Sequence, residues 1–343
     1  MDAIQSDIMK VFTRDYRISG EYHPEWDTYF KGMNPCVFDI ESTGLDRSRC
    51  RAILIGLLVR TESGVRITQF LAENHYEEAK VLDATMDFIE GNDIDYLVSF
   101  NGCAFDVPFI NARLDTNFMG RQLKMYHFDL YRFLRRCTDL KDRLDSLSQK
   151  SIEDHYGILS DRGDTITGRE SVALYDQYAI SGNSTLEKII LTHNREDVLH
   201  LNRLMYLALA DVPDLHQALA AYGFPAAEGR LSVCPKIKKF ARVLRITGEQ
   251  LCDPVASAYF PDADEPLTVT FNATTSSFEI SAPLACHGDE LYMDISFLKK
   301  KSRVSSSVDD LFSDPDCVNG YLILDQRTVN LVSKAISEIY YLQ

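Results

Sequence analysis

The chain has 343 residues, of which 45% are hydrophobic, and a formal net charge of −15 at pH 7. A chain of this length and composition buries a substantial core and exceeds one average domain, so we predict a globular protein of two domains. The acidic balance argues against a general nucleic-acid binder, because such proteins usually carry a clear basic excess.

Targeting and redox features indicate a cytoplasmic protein. The opening residues, MDAIQSDIMKVF, have neither the positive charge nor the apolar core of a secretory signal. No apolar run approaches the roughly 20 residues needed to span a bilayer, so we expect no membrane partner. The eight Cys residues include no C-x-x-C pair, which argues against a zinc ribbon and favours reduced thiols.

The first acidic pair, Asp39 and Glu41, ends an apolar run. A turn follows at residues 42–45, and a second apolar run occupies residues 52–59. We predict two strands joined by a loop, with both carboxylates on one face because alternate strand residues point the same way. Such a pair is unfavourable unless a cation lies between the two side chains. Spacing alone is weak evidence, since three other pairs share it: Asp93 and Asp95, Asp262 and Asp264, and Asp314 and Asp316.

The following segments predict an α/β pattern. Residues 65–71 are typical of the third strand of a meander, and residues 77–91 of an amphipathic helix. Residues 96–100 predict a short buried strand that ends at Asn101-Gly102. Asp106 then lies at the first turn of a helix, two residues before a proline, where it is either a helix cap or a metal ligand. Taken alone, the cap is the commoner role.

The middle of the chain, residues 121–150, is basic, with eight Lys or Arg against four Asp. These cations either contact phosphate or form a solvated helix face. A strand is predicted at 126–130 and a helix at 131–137, and Asp129 between them is a further candidate carboxylate for the same site.

A second helix is predicted at 144–156. Residues 157–168, rich in Asp, Gly and Thr, predict a loop that is either a connector or a cover for a bound strand end.

The third acidic segment is HNREDV, which contains His193 and Asp197. Apolar residues around it repeat at helical spacing, so we predict a helix that holds both side chains on one face. An imidazole and a carboxylate placed in this way can reach one centre. The alternative is a surface pair without a ligand.

Together these three segments resemble the DEDD superfamily of 3′-to-5′ exonucleases, the DnaQ-like branch of the ribonuclease H fold. The most similar members are the stand-alone bacterial ones related to the proofreading domain of family B DNA polymerases. VFDIESTGL resembles the first exonuclease motif, FNGCAFDVPFI the second and HNREDV the third, in the expected order. The resemblance covers about residues 34–210 and implies an α/β fold with a ribonuclease H-like mixed sheet flanked by helices.

The resemblance also implies two Mg²⁺ or Mn²⁺ ions per site, held by Asp39, Glu41, Asp106 and Asp197. By position, Asp39, Glu41 and Asp197 hold the ion that activates water. Asp39, with Asp106 close by or through water, serves the second ion. Hard divalent cations prefer such oxygen ligands, and a pair of them stabilises both the attacking and the leaving oxygen of a phosphodiester.

His193 departs from both subgroups of this family. The Tyr-type subgroup has a Tyr four residues before the last Asp, and the His-type subgroup has a His five residues before it. His193 combines the Tyr-type spacing with the His-type residue. An unperturbed imidazole titrates near 6.5, so His193 is predicted to act as general base. The alternative is a partner that orients Asp197 or the water.

The resemblance further implies contacts with the terminal nucleotide. Asn101 and Phe105 correspond to positions that contact it or pack beside it, and Thr43 and Leu45 lie close to where its base lodges. A single-stranded 3′ end of a nucleic acid is therefore the expected partner. Nothing in the motifs distinguishes DNA from RNA, since that depends on contacts with the 2′-hydroxyl group.

The chain after residue 210 has a different character. Prolines interrupt it at intervals, and LTVTFNATTSSFEIS predicts a hairpin around residues 272–277. Further strands are predicted at 290–295 and 320–324, and a closing helix at 330–340. Two basic clusters, at residues 236–245 and 299–303, are either phosphate contacts or solvated surface.

These patterns predict three parts of the chain: residues 1–33 as an N-terminal extension, 34–210 as a ribonuclease H-like exonuclease domain, and 211–343 as a smaller α+β region. The leading hypothesis is a metal-dependent 3′-to-5′ exonuclease. One alternative is a catalytically silent module on the same fold that binds nucleic acid or protein. Another is a structure-specific endonuclease, since folds host several activities.

Overall fold

The computed structural model describes residues 9–18, 22–256, 258–261, 267–301 and 303–342. Contacts divide the chain into two compact units: one with residues up to 22, 34–123 and 127–211, and one with 23–33, 124–126 and 212 onward. The start of the opening segment, residues 1–8, and the pair Asp262 and Asp264 lie outside the described residues. The domain boundaries at 34 and 210 stay a prediction.

A six-stranded mixed sheet forms the centre of the first unit. In spatial order its strands are β1 (Lys10–Tyr16), β4 (Gly64–Leu71), β3 (Ala52–Thr61), β2 (Pro35–Ser42), β5 (Tyr96–Ser99) and β6 (Tyr126–Asp129). The first four strands pair antiparallel, and β5 runs parallel to β2. The predicted meander is thus confirmed, and β1, from the residues expected to be an extension, adds a strand to its edge.

Seven helices flank this sheet in the described part of the first unit. They are α2 (Glu78–Gly91), α3 (Asp106–Thr116), α4 (Leu130–Cys137), α5 (Leu140–Arg143), α6 (Gln149–His155), α7 (Gly168–Ser181) and α8 (Ser184–Ala210). The long helix α8 packs against β2 and β3, and α2 packs against β3 and β4. The prediction of a mixed sheet flanked by helices is confirmed.

The helix predicted at residues 144–156 is wrong in its first part. Helix α6 begins at Gln149, because the hydroxyl of Ser148 caps it by accepting the N–H of Ser151 at 3.2 Å. The predicted loop at 157–168 contains one 3₁₀ turn, Leu159–Asp161, and otherwise lacks regular structure.

The second unit combines helices with two antiparallel sheets. One sheet has the order β10 (Ala258–Pro261), β11 (Thr268–Asn272), β12 (Ser277–Pro283), β9 (Val243–Gln250), β8 (Leu231–Lys238) and β7 (Phe224–Ala226). The other has the order β13 (Ala285–His287), β14 (Glu290–Asp294), β16 (Tyr321–Ile323) and β15 (Cys317–Val318). The helices are α1 (Pro24–Phe30), α9 (Leu215–Tyr222), α10 (Ser307–Phe312) and α11 (Gln326–Leu342).

Several predictions for this region are confirmed. The hairpin around residues 272–277 joins β11 to β12, the strands near 290 and 320 are β14 and β16, and the closing helix is α11. All eight cysteines are free thiols. Within the described residues, no helix has the length and apolar character that crossing a membrane requires.

Candidate active site

The first two carboxylates lie on the central strand β2. Asp39 pairs with Gly56 of β3, and α8 crosses this part of the sheet closely enough for Asn194 to donate its amide N–H to Asp39 Oδ2 at 2.8 Å. A Cβ atom at Gly56 would meet the Asn194 Oδ1 atom at 2.2 Å. Glycine at position 56 therefore permits the close approach of helix and strand that places Asn194 on Asp39.

Asp106 is joined to the same strand. It is the first residue of α3, whose N-cap position is held by Phe105, so Asp106 is not the helix cap. Its Oδ1 atom accepts the backbone N–H of Ile40 at 3.2 Å, and its side chain is buried. The third carboxylate thus reaches β2 at the residue between Asp39 and Glu41.

Helix α8 brings His193 and Asp197 to the other side of Glu41. The Nε2 atom of His193 lies 3.6 Å from Glu41 Oε1 and 3.6 Å from Asp197 Oδ2. Ligand atoms of these three side chains all lie within 4.8 Å of one another, a spacing compatible with one metal ion. The predicted i, i+4 pair therefore lies beside the first motif, with His193 buried and Asp197 half-buried, and is not a surface pair.

Burial raises the pKa of the carboxylates, and neighbouring negative charges add to the effect. Burial raises the pKa of Asp39 most, and the charges of Asp197 and Asp106 add to this effect, as does that of Glu41. Burial raises the pKa of Glu41 to about 7, partly offset by His193. Burial likewise raises the pKa of Asp106 to about 7. Several buried acids that repel one another need a cation to be stable as carboxylates near neutrality.

The donor set fits hard divalent cations. Four carboxylates from one strand and two helices offer oxygen atoms, and burial raises the pKa of each of them. Mg²⁺ and Mn²⁺ prefer carboxylate oxygens, whereas a soft metal would require thiolates. The residues present therefore fit a divalent metal centre.

The loop between α6 and α7 supplies two residues that the sequence did not single out. The guanidinium of Arg162 contacts Asp197, binds Asp164 Oδ1 through Nε at 2.7 Å, and reaches Glu153 Oε1 at 2.9 Å. Asp164 Oδ2 in turn lies 2.8 Å from His193 Nδ1. The side chains of Arg162 and Asp164 are only 2% and 3% exposed. This loop was expected to be a connector or a cover, and instead it packs charged side chains against the α8 pair.

The remaining predicted contacts lie in turns around the carboxylates. Thr43 accepts the N–H of Arg51 at 2.9 Å, and Leu45 is 84% exposed; both follow β2. Asn101 adopts a left-handed conformation (φ 64°) in the turn before α3, and the ring of Phe105 lies 5.3 Å from that of Phe109. Their role as substrate contacts stays a prediction.

Asp129 has a structural role. It is fully buried and caps α4 by accepting the N–H of Arg132 at 3.2 Å. Its two oxygens also accept the N–H groups of Asn101 and Cys103, at 2.9 and 3.0 Å. These bonds engage both oxygens of Asp129 and hold the second motif in place, which favours a capping role over the predicted alternative of a further ligand.

Two of the competing acidic pairs are engaged elsewhere. Asp95 accepts the N–H of Asn34 at 2.6 Å, while Asp314 and Asp316 both bind Arg327. Their spacing reflects turn and ion-pair chemistry, which explains why the spacing of two acids did not identify the site.

A basic cleft lies next to the second motif. The helix α4 buries its apolar face and exposes Arg132, Arg135 and Arg136, which with Tyr131 and Asn101 line a cleft of about 470 Å³. Several other cations of the basic region are paired: Arg121, for example, forms salt bridges to three acids of α2. On α4, Arg132 lies 3.7 Å from Asp129, whereas Arg135 and Arg136 are exposed and form no salt bridge to another described residue.

Comparison with known proteins agrees with this architecture. A model of the RNase H superfamily matches residues 36–209, half of the chain. The chain belongs to the RNase H superfamily, and the predicted ribonuclease H-like fold is confirmed.

The similarity to individual proteins is low in sequence identity or covers only part of their length. The chain is similar to the uncharacterized protein YprB of Bacillus subtilis (strain 168), with 31% identity over 168 residues, 48% of this chain and 39% of YprB. Among solved structures it is similar to the family B DNA polymerase of the hyperthermophilic archaeon Pyrobaculum calidifontis, with 14% identity and a TM-score of 0.42. That match covers 96% of this chain and 51% of the polymerase, so the chain spans about half or less of each of these proteins.

Proposed function

We propose that this protein is a metal-dependent 3′-to-5′ exonuclease of the DEDD type, acting on a single-stranded 3′ end of nucleic acid. The observation that carries the proposal is the proximity of carboxylates from three distant segments: Asp106 accepts the N–H of Ile40, which lies between Asp39 and Glu41, and Glu41 and Asp197 each lie 3.6 Å from His193 Nε2. Membership in the RNase H superfamily supports a nuclease on this fold.

The carboxylates divide between two ions in this proposal. Asp39, Glu41 and Asp197 would hold one Mg²⁺ or Mn²⁺ ion, and Asp39, with Asp106 close by or through water, would serve the other. When bound, the pair neutralises the phosphodiester, favours deprotonation of water and stabilises the departing oxygen. Asn194 donates to Asp39 and Ile40 donates to Asp106, so both ligands are oriented before any ion arrives.

His193 is placed to act as the general base. Asp164 holds Nδ1, and the opposite atom, Nε2, faces the space between Glu41 and Asp197. A neutral imidazole with its proton on Nδ1 presents an unprotonated Nε2 to an attacking water. The proton of that water passes to Nε2, the new oxygen–phosphorus bond forms, the bond from phosphorus to the 3′ oxygen breaks, and the departing 3′ oxygen takes a proton from solvent.

The substrate strand is held by the turns and the basic cleft beside this pocket. The arginines of α4 contact backbone phosphates upstream of the cleaved bond. Asn101 and Phe105, in the neighbouring turn, contact the terminal nucleotide, and Thr43 and Leu45 border its base. An exposed Leu45 side chain at this position suits an apolar contact with a base face.

A labelled oligonucleotide tests the proposal. With Mn²⁺ or Mg²⁺, purified protein is expected to shorten a 5′-labelled single strand stepwise from its 3′ end, and with EDTA to leave it intact. Asp39→Asn should abolish the reaction. Asp93→Asn is a matched control, because Asp93 belongs to an acidic pair of the same spacing but is exposed. If Asp39→Asn digests the strand as fast as wild type, the assignment is wrong.

The same assay separates the alternatives. A circular single strand has no 3′ end, so its cleavage would indicate an endonuclease instead. Absence of cleavage on both linear DNA and linear RNA, with strand binding retained, would indicate a silent binding module.

A further inference from the structure

The hairpin that joins β8 to β9 presents an exposed aromatic ring. Its tip, residues 236–242, has the sequence KIKKFAR, and the side chain of Phe240 is completely exposed (109% of its reference area). A phenylalanine in water contributes nothing to the core of its own unit and exposes apolar surface at a cost. Single exposed apolar residues are common, so the exposed ring indicates a binding site only together with the residues around it.

Those neighbours are cations without acidic partners. Lys236, Lys238, Lys239 and Arg242 are exposed, and none of them forms a salt bridge to another described residue. Arg245, from the same predicted cluster, is different because it pairs with Glu279. In a chain with a net charge of −15, four unpaired cations within seven residues mark a local site for an anion.

The tip has a defined conformation. Strand pairing continues to Lys238 and Val243, and the N–H of Arg242 binds the Lys239 carbonyl at 3.1 Å. Arg242 adopts a left-handed conformation (φ 50°), and its carbonyl accepts the N–H of Leu284 at 2.8 Å. A tip held in this way displays Phe240 and its flanking cations in one arrangement, so little entropy is lost when a ligand binds.

We propose that the hairpin tip binds single-stranded nucleic acid, with Phe240 stacked on a base and the adjacent cations on backbone phosphates. Aromatic side chains beside cations suit this ligand, because every base offers a π-face and every nucleotide a negative charge. An anionic membrane would also attract the cations, but a membrane-inserting tip needs several apolar residues and this one offers one large ring. The choice of nucleic acid rests on the proposed function, whereas the anion site does not.

The surroundings indicate which side the phosphates occupy. Lys236, Lys239 and Arg242 line a cleft of about 790 Å³, and Asp289, Glu290 and Asp325 also line it. Asp289 and Glu290, like Asp325, repel phosphate, so we place the backbone along the hairpin side of the cleft. Neutralising them with Asp289→Asn and Glu290→Gln is expected to tighten binding.

Fluorescence anisotropy with the full chain tests this inference. A labelled single strand is titrated in EDTA, which prevents metal-dependent hydrolysis. Phe240→Ala is expected to weaken binding by about fivefold or more, and Phe240→Trp to preserve it. The double variant Lys238→Ala, Lys239→Ala should reduce the slope of log affinity against log salt by roughly 0.7 for each lost phosphate contact.

An abasic strand separates stacking from charge. Wild type should bind a normal strand more tightly than an abasic one, and Phe240→Ala should remove this preference. Phe118→Ala is the matched control, because Phe118 is also exposed (95%) but is not flanked by a cluster of cations like that of the hairpin tip. Equal binding of the normal strand by wild type and Phe240→Ala would overturn the proposal.

Two further outcomes are informative. If Phe240→Ala lost only its binding to phosphatidylserine vesicles, the tip would be a membrane contact and the proposal would be wrong. If the strand bound through the tip but was never hydrolysed, the exonuclease proposal would fail and the hairpin proposal would stand.

Discussion

Asp164 Oδ2 lies 2.8 Å from His193 Nδ1, and this contact directs the opposite ring nitrogen toward Glu41 and Asp197. The pKa of His193 is raised overall: burial opposes the charged ring, but Asp164, Asp197 and Glu41 outweigh it. The pKa of Asp164 is lowered, since its bonds to His193 and Arg162 outweigh its burial. Asp164 is therefore a positioning residue for the proposed base.

Removal of this charge should change the pH dependence of hydrolysis. Asp164→Asn keeps a polar partner for Nδ1 but lowers the pKa of His193, so the acid limb of the kcat profile should move to lower pH. Asp164→Ala should reduce kcat by about 10- to 100-fold, with little change in KM. The exposed neighbour Asp161→Asn is the control. An unchanged profile in Asp164→Asn would exclude this role.

Arg162 should be important for stability. Its guanidinium contacts the carboxylates of Glu153, Asp164 and Asp197, and Arg162→Met removes the buried cation that these three acids share. We expect a loss of about 3–5 kcal/mol in the free energy of unfolding, measured by urea denaturation. Arg203→Met removes an exposed ion pair with Asp161 and should cost about 0–1 kcal/mol. Equal losses in the two variants would contradict the account.

Without metal, the carboxylate pocket should destabilise the fold as the pH rises. The folded-state pKa values of Glu41 and Asp106 are about 7, well above the unfolded values near 4. The contribution of these two groups to the free energy of unfolding is therefore fully present below about pH 4, where both side chains are protonated. It is lost as the pH rises through 7 and the folded protein must hold them as carboxylates.

Asp39→Asn relieves part of that repulsion. In EDTA at pH 8 the variant should melt a few degrees above wild type, about 2–4 °C for each kcal/mol. Added Mn²⁺ should reverse the order by stabilising wild type alone. A lower Tm of the variant in EDTA would show that the four acids do not repel one another.

The arginines on α4 should affect substrate binding more than chemistry. Arg135→Ala with Arg136→Ala is expected to raise KM for a single strand several-fold and to leave kcat nearly unchanged. Arg121→Ala is a suitable control, because that cation is already paired with acids of α2. A fall in kcat at constant KM would place these arginines in a different role.

Local patterns predicted the sheet and the faces on which the acidic residues lie, whereas the ligand set was implied by the resemblance of three motifs. Alternation placed Asp39 and Glu41 on one face of β2, and helical spacing placed His193 and Asp197 together. The partners of these residues were not predictable in this way. Arg162 and Asp164 lie in a loop without periodicity, and only folding brings them to α8.

The contact between Asn194 and Gly56 was likewise not predictable from the sequence. Their contact depends on the crossing of a helix over a strand 138 positions away in the chain, which no local pattern records. The predicted start of α6 at residue 144 was wrong for a local reason. The hydroxyl of Ser148 caps the helix, so the helix begins after Ser148 although the apolar pattern continues upstream.

Calorimetric titration with Mn²⁺ measures metal binding at the carboxylates without requiring a substrate. We predict that wild type and Asp93→Asn bind two ions per chain, and that Asp39→Asn, which loses the shared ligand, does not bind the pair. No Mn²⁺ binding by wild type, or the same two ions bound by Asp39→Asn, would contradict the account.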